Sequence, residues 1–274
     1  MDIGDVRLQS SDHCQVRISR DERPLGVVAT VTIDNARRLN AMNSALMGAF
    51  VDAMEKLASE ERLRAVVLGG AGPKAFIVGA DIDEMAGIAS ASEATAFITR
   101  LHRCCEAIRK LPVPVIARIQ GYCFGAGLEI ATACDARIAS DAALFGMPEV
   151  KLGIPSVIEA ALLPTLVGWG RAREIMLLGE TFTAGEALAW HLVEHVVSPA
   201  LLDQAVEAWI GRLLTSKPHA VRLQKRLMRQ WEDLPLAAAV AAGIDAFAAA
   251  YETDEPTVAM REFLAAQKAR KRGE

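Results

Sequence analysis

The chain has 274 residues, with 30 Lys+Arg against 34 Asp+Glu, 52% hydrophobic and 23% charged residues. Those proportions belong to an ordinary globular protein and exclude a disordered, collagen-like or coiled-coil chain. A net charge of −4 and 5% aromatic residues give no basis for a nucleic-acid or membrane-surface partner, or for a base-stacking platform.

The N-terminal stretch MDIGDVRLQSSDHCQV lacks a basic region followed by an apolar run, so it is not read as a signal peptide. Residues 26–33, GVVATVTI, are β-branched and apolar and predict a buried strand. Asn43 is placed to cap a helix running to about Leu57, with Leu46, Phe50, Met54 and Leu57 three or four residues apart. RAVVLGG (64–70) predicts a short strand ending in a glycine turn. Ser92 with Glu93 is expected to open a second long helix to about Lys110, carrying Phe97, Leu101 and Ile108 on one face. VPVIARIQG (113–121) predicts the next strand. Strand, helix, strand in this order is the pattern of an α/β fold with buried strands. Residues 121–140 predict a glycine turn, a short helix and a strand from about Asp135. Thr183 and Glu186 form a capping box over a helix at 184–190. After Pro199 the segments 200–216, 218–230, 235–252 and 256–270 all predict helix. The chain therefore divides into an α/β core, 1–200, and an all-helical region, 201–274. The latter is expected to pack on the core or on another subunit, because 235–250 is too apolar to stand alone in water.

The apolar stretches 156–168 and 235–250 are broken by Glu159 and Pro164, and by Asp245, so no membrane span is expected. Cys14, Cys104, Cys105, Cys123 and Cys134 are odd in number and contain no CxxC pair. A reducing compartment, hence a cytoplasmic address, is the expectation.

Three segments carry candidate chemistry. In KAFIVGADID (74–83), Gly79 allows a kink that turns the Ala80 amide outward, and Asp81 is placed to cap a short helix. A free amide beside a helix start is an anion or oxyanion donor; the plainer alternative is a turn capped by Asp81. In GYCFGAGLE (121–129), Gly125 and Gly127 permit close approach to the backbone. The Ala126 amide is one of the unsatisfied donors at a helix start. Glu129 shares its helix face three residues on; alternatively, it is a first-turn glutamate favoured by the helix dipole. The string is not a dinucleotide fingerprint, since it does not read GxGxxG. In FGMPE (145–149), Glu149 is either a solvated loop-tip group or a buried acid with a raised pKa.

Two motifs are set aside. HLVEH (191–195) matches the HxxEH of some zinc hydrolases, but the short capped helix ends before both histidines can share a face. GGAGPK (69–74) has Ala75 where a phosphate loop needs Ser or Thr for magnesium. No GxSxG elbow is present.

Taken together and in this order, RRLNAMN (37–43), RAVVLGGAG (64–72), KAFIVGADIDEM (74–85), PVPVIARIQGYCFGAGLEIATACDARIAS (112–140), FGMPEVKLGIP (145–155) and GRAREIMLLGETFTAGEALAWHLVEHVV (170–197) resemble the enoyl-CoA hydratase/isomerase, or crotonase, family. The resemblance implies a spiral core of repeated ββα turns and a C-terminal helical region that builds a homotrimer or a dimer of trimers. It implies an acyl-CoA thioester substrate, no metal, and no cofactor beyond the coenzyme A of the substrate.

Carried over residue by residue, the resemblance makes the amides of Ala80 and Ala126 the oxyanion hole. Glu129 and Glu149 become the catalytic pair, with Glu149 giving a proton to the α-carbon and Glu129 partnering the water. Arg37, Leu39, Ala41, Gly79, Asp81 and Ile82 fall at substrate-binding positions, as do Lys74, Gly125, Ser156, Glu159, Phe263 and Lys268. Having both glutamates favours hydration over isomerisation. Other acyl-CoA reactions of the family (isomerase, hydrolase, decarboxylase) remain as alternatives, as does a non-catalytic RNA binder, for which only the basic KARKR (268–272) speaks.

The departures from the family pattern are local. Ala126 replaces a glycine. Asp83 stands where a lysine near the CoA phosphates is frequent, with Arg37, Lys74 or Lys268 as candidate replacements. IPSVIEAALL (154–163) replaces a glycine-rich IPGAGGTQRL. There Ser156 occupies the place of a water-holding glycine amide, and Glu159 adds a third carboxylate.

Overall fold

The structure, a computed structural model, describes residues 14–272; most of the N-terminal stretch read for a leader lies outside the described residues, as does the Arg272 side chain of the basic run. Strands β1 (Gln15–Arg23) and β2 (Gly26–Asp34) form an antiparallel hairpin, with Val16 opposite Ile33 and Ile18 opposite Val31. β1 has no counterpart among the sequence expectations. It is a charged edge strand that half-buries only Val16, Ile18 and Arg23, so its apolar signal is thin. β2 continues in parallel to β3 (Leu63–Gly70), and the sheet extends through β5 (Val115–Ile119), β7 (Ala136–Ser140) and β10 (His195–Val197). A second sheet orders β4 (Ala75–Ile77), β6 (Tyr122–Phe124), β8 (Leu144–Gly146) and β9 (Phe182–Thr183).

The chain winds between the two sheets. β3 enters the large sheet and β4 the small one; then come helices α2 (Ile82–Ala86) and α3 (Ala91–Lys110). β5 and β6 repeat the step before α4 (Ala126–Ala133), and β7 and β8 repeat it again before a 3-10 turn at Pro148–Leu152. This is the ββα spiral. Its practical result is that β4, β6 and β8 stack side by side, each delivering a loop to one end of the small sheet.

Local sequence explains the helix starts. Helix α1 (Ser44–Ala58) is capped by Asn43, whose side chain accepts from the Leu46 amide. Helix α3 is capped by Ser90 rather than Ser92: the Ser90 hydroxyl accepts from the Glu93 amide at 3.2 Å. The reason is spacing, since Ser90 stands three residues before Glu93 while Ser92 is already inside the first turn. Phe50, Met54 and Leu57 of α1 and Phe97, Leu101 and Ile108 of α3 are buried in one core with the large sheet. Helix α6 (Ala184–Ala189) has the Thr183–Glu186 capping box; it ends at Ala189, and His195 opens β10, so His191 and His195 share no helix face.

The tail is helical throughout. Helix α7 (Leu202–Leu214) lays Leu202, Val206, Ile210 and Leu214 on Val28, Ala65, Val67 and Ile116 of the large sheet. Helix α8 (Pro218–Asp233) is pinned by buried Lys225, whose Nζ donates to Asp135 Oδ2 at 2.6 Å and to the carbonyls of Ile108 and Val113. Helices α9 (Leu236–Ala250) and α10 (Glu255–Arg272) leave Leu236, Val240, Ile244, Phe247 and Phe263 exposed. Among the described residues no single helix is long and apolar enough to cross a membrane; α9 and α10 pass such a test only as a pair bent by 78°.

Candidate active site

Parallel pairing of β4 with β6 sends the turns after them, 78–81 and 125–126, off the sheet side by side. Gly79 takes φ +132°, and a Cβ there would stand 3.5 Å from the Phe124 carbonyl. The stretch 39–42 runs along the first turn. Val78 N–H donates to the Leu39 carbonyl at 3.1 Å, Met42 N–H to Gly79 at 2.9 Å, and Asp81 N–H to Met42 at 2.9 Å. These bonds use the amides around Ala80 and leave the Ala80 N–H without a partner among the described residues. In the second turn the Gly125 carbonyl accepts from Leu128 and Glu129, while the Ala126 N–H, at the start of α4, also has no partner among the described residues. A Cβ on Gly127 would stand 2.0 Å from the Ile77 carbonyl, so α4 begins hard against β4. Two unused amides thus emerge at one end of one sheet.

The glutamates meet them there. Glu129, one turn into α4, is only 4% exposed, and the backbone at Val157 and Ala160 hydrogen-bonds to its carboxyl. Burial, then the charges of Glu149 and Glu159, push it up to about 8, against the pull of those backbone bonds. Glu149 sits in the 3-10 turn that follows β8, half-buried. Its Oε2 accepts the Ser156 hydroxyl at 2.8 Å, and its Oε1 faces Gly125, where a Cβ would come within 2.5 Å. Glu159 is buried as well: His102 Nδ1 lies 3.0 Å from its Oε1, and the Cys105 thiol hydrogen-bonds to it.

The segment that brings Glu159 and the 157–160 backbone to Glu129 is under strain. Ile158 takes φ +42°, the left-handed region that a β-branched residue rarely adopts. Such an outlier costs on the order of 1–3 kcal/mol and persists where its surroundings hold it. Here they do: Ala160 N–H donates to the Val157 carbonyl at 2.9 Å, and Thr132 Oγ1 to the Glu159 carbonyl at 3.4 Å.

Among the other residues singled out from the sequence, Leu39 and Ala41 lie on the stretch beside Ala80, and Arg37 is exposed just before it. Asp81 is buried and caps α2 by accepting from the Glu84 amide, while Ile82 opens that helix exposed. Lys74 is exposed at the start of β4, with that three-residue strand between it and the turn that carries Ala80. Phe263 and Lys268 are exposed on α10, whose hydrogen bonds among the described residues run to the start of α8 through Glu255 and Glu262.

Three contributors escaped the sequence reading. Arg38 pairs with both Asp81, at 2.7 Å, and Asp83, so the acid at the usual lysine position is held by an arginine from the 36–38 turn. Asn40, fully buried at φ +61°, donates to the carbonyls of Ala71 and Ala75 and accepts from the Asn35 amide, fixing the 39–42 stretch. His102 lies 57 residues from Glu159 in the chain, and no local pattern connects them.

Known proteins resemble this chain over most of its length. A family model described as enoyl-CoA hydratase/isomerase matches residues 25–272. A short-chain-enoyl-CoA hydratase of Clostridium acetobutylicum is 34% identical over 244 residues, covering 89% of this chain and 93% of that protein. A crotonyl-CoA hydratase of Syntrophomonas wolfei is 34% identical over 243 residues, covering 88% and 93%. The crystal structure of an enoyl-CoA hydratase from Bacillus anthracis superposes with a TM-score of 0.85 at 30% identity, covering 91% of this chain and 96% of that one.

Proposed function

The chain belongs to the enoyl-CoA hydratase/isomerase family, and from that membership we propose that it adds water across the 2,3-double bond of a 2-enoyl-CoA to give the 3-hydroxyacyl-CoA. The observation that carries this reading is the meeting of Glu129 and Glu149 beside the unused amides of Ala80 and Ala126. Addition of water to an enoyl thioester builds negative charge on the thioester oxygen. The two amides, fixed by their turns, meet that charge where it develops, a contribution of order a few kcal/mol per donor. One carboxyl gives a proton to the α-carbon and the other takes one from the water. A pair with a single proton between them suits this, and burial of Glu129 supplies it near neutral pH. In the free protein that proton rests on Glu129. The donor role that the resemblance gives to Glu149 calls for its passage to Glu149 once substrate and water are in place.

The reaction needs no metal or redox cofactor, since coenzyme A arrives with the substrate. Named hydratases of short enoyl thioesters among the relatives support a short acyl chain as the first substrate to try. The exposed apolar side chains of α9 and α10 support assembly into a trimer or dimer of trimers, for which light scattering at a monomer's mass would be the contrary result. Five free thiols support a cytoplasmic address. The test of function is product identity: incubation with crotonyl-CoA in ¹⁸O-labelled water should give a hydroxyacyl-CoA labelled at carbon 3. An isomerised or hydrolysed product would assign one of the other family reactions.

A further inference from the structure

Glu159 is a buried carboxylate with no proton to give or take in the proposed reaction. It lies in the chain between Val157 and Ala160, whose backbone hydrogen-bonds to the Glu129 carboxyl, and its own carboxylate stands 3.0 Å from Nδ1 of His102, whose side chain is 46% exposed. We propose that Glu159 is a positioning residue for the proton of the acid–base pair: its charge fixes how firmly Glu129 keeps that proton, and His102 sets how much of the charge Glu129 feels. The inference rests on the reading of Glu129 and Glu149 as that pair.

Geometry restricts the partners. The 3-10 turn that carries Glu159 packs on α4, α3 and α5 (Leu163–Leu178). From α4 it meets Glu129. From α3 it meets His102 and Cys105, with Cys104 behind and Glu106 facing His102 from the next turn. The charged groups of α5 are engaged elsewhere, Arg171 with Glu174 and the Trp190 ring and Arg173 with the Trp169 ring. Glu149 adds its charge at Glu129 as well. Of the strands packed on α4, β6 offers only Tyr122 and Cys123 as titratable groups, and β4 offers none. His102 is therefore the single basic group against Glu159 among the described residues. Ionised, Glu159 repels a second negative charge on Glu129 and holds the proton there. With an imidazolium opposite, part of that repulsion is cancelled, and the proton is released more readily toward Glu149.

The experiment follows the Glu129 carboxyl directly, by ¹³C NMR of protein labelled at glutamate side chains, with E129Q to assign the signal. In E159Q the Glu129 titration should move to lower pH by about one unit. In H102K, which sets a permanent cation opposite Glu159, it should also move to lower pH, since part of the repulsion is then cancelled at every pH of the titration. The alkaline limb of kcat/KM for crotonyl-CoA should shift in the same direction, about tenfold in rate at a pH one unit beyond the limb. A Glu129 titration unmoved by E159Q, or moved upward, overturns the proposal, and so does an upward or absent shift in H102K. Should E159Q not fold, H102K alone decides. The NMR titration needs no turnover, so failure of the hydratase reading and failure of this inference are told apart.

Discussion

Gly125 and Glu149 approach so closely that no side chain fits between them: a Cβ on Gly125 would stand 2.5 Å from Glu149 Oε1. The glycine also takes φ +51° and ψ −121°, a conformation closed to other residues. Local backbone need and catalytic geometry thus coincide at one position. G125A should displace the Glu149 carboxylate and strain the start of α4. We expect hydration to fall by about 10²-fold or more, the low end for loss of an acid–base group, with α4 and the sheets retained by circular dichroism. Undiminished turnover in G125A would separate Glu149 from the reaction.

Burial of Glu129 has a cost that pH reveals. Its folded value of about 8 lies above the ordinary carboxyl value of about 4.3. Between those values the unfolded chain has lost the proton while the folded chain keeps it. Stability from this group is therefore full below about pH 4.3 and declines as pH rises to 8, by up to about 1.4 kcal/mol per unit. E129Q has no charge to bury and should lack this decline. Urea titrations at pH 5 and pH 8 should find E129Q the more stable at pH 8, with the advantage shrinking at pH 5. Equal pH dependence of the two proteins would contradict a buried, high-pKa Glu129.

The Ser156 hydroxyl donates to Glu149 Oε2 at 2.8 Å. S156A should loosen the carboxylate without moving the backbone. A bond to a charged group is worth about 1.5 kcal/mol at the lower end, so kcat/KM should fall about tenfold. Measured with crotonyl-CoA, a loss in kcat rather than KM is expected, since the serine touches the acid–base group. A pure KM effect would place Ser156 on the substrate instead.

Much of the fold could be read from local patterns, because those patterns are strong where burial is complete. Residues 26–33 and 64–70 are mostly apolar, and they became strands β2 and β3, which pair in parallel. Asn43, Asp81 and Thr183 cap the helices their spacing suggested. Strand β1 was silent because an exposed edge strand half-buries only one face. The α3 cap was misplaced by two residues where two serines compete and only Ser90 has the spacing to Glu93. At the site, Ala80, Ala126 and Glu129 were legible as features of their own turns. Their meeting with Glu149, the Ser156 bond and the His102–Glu159 contact were not. Those depend on β4, β6 and β8 ending together and on α3 passing the 154–163 segment, which no sequence spacing encodes.

The most direct measurement is the loss of conjugated absorbance of crotonyl-CoA with the wild-type protein, E129Q, E149Q and the double variant. Hydration by two carboxyls acting as a unit predicts rapid loss with the wild type. It predicts a fall of about 10²–10⁴-fold in each single variant and little further fall in the double. Turnover left intact in E129Q would point to a reaction needing only Glu149, and no loss of absorbance with short, medium or aromatic enoyl thioesters would contradict the hydratase outright.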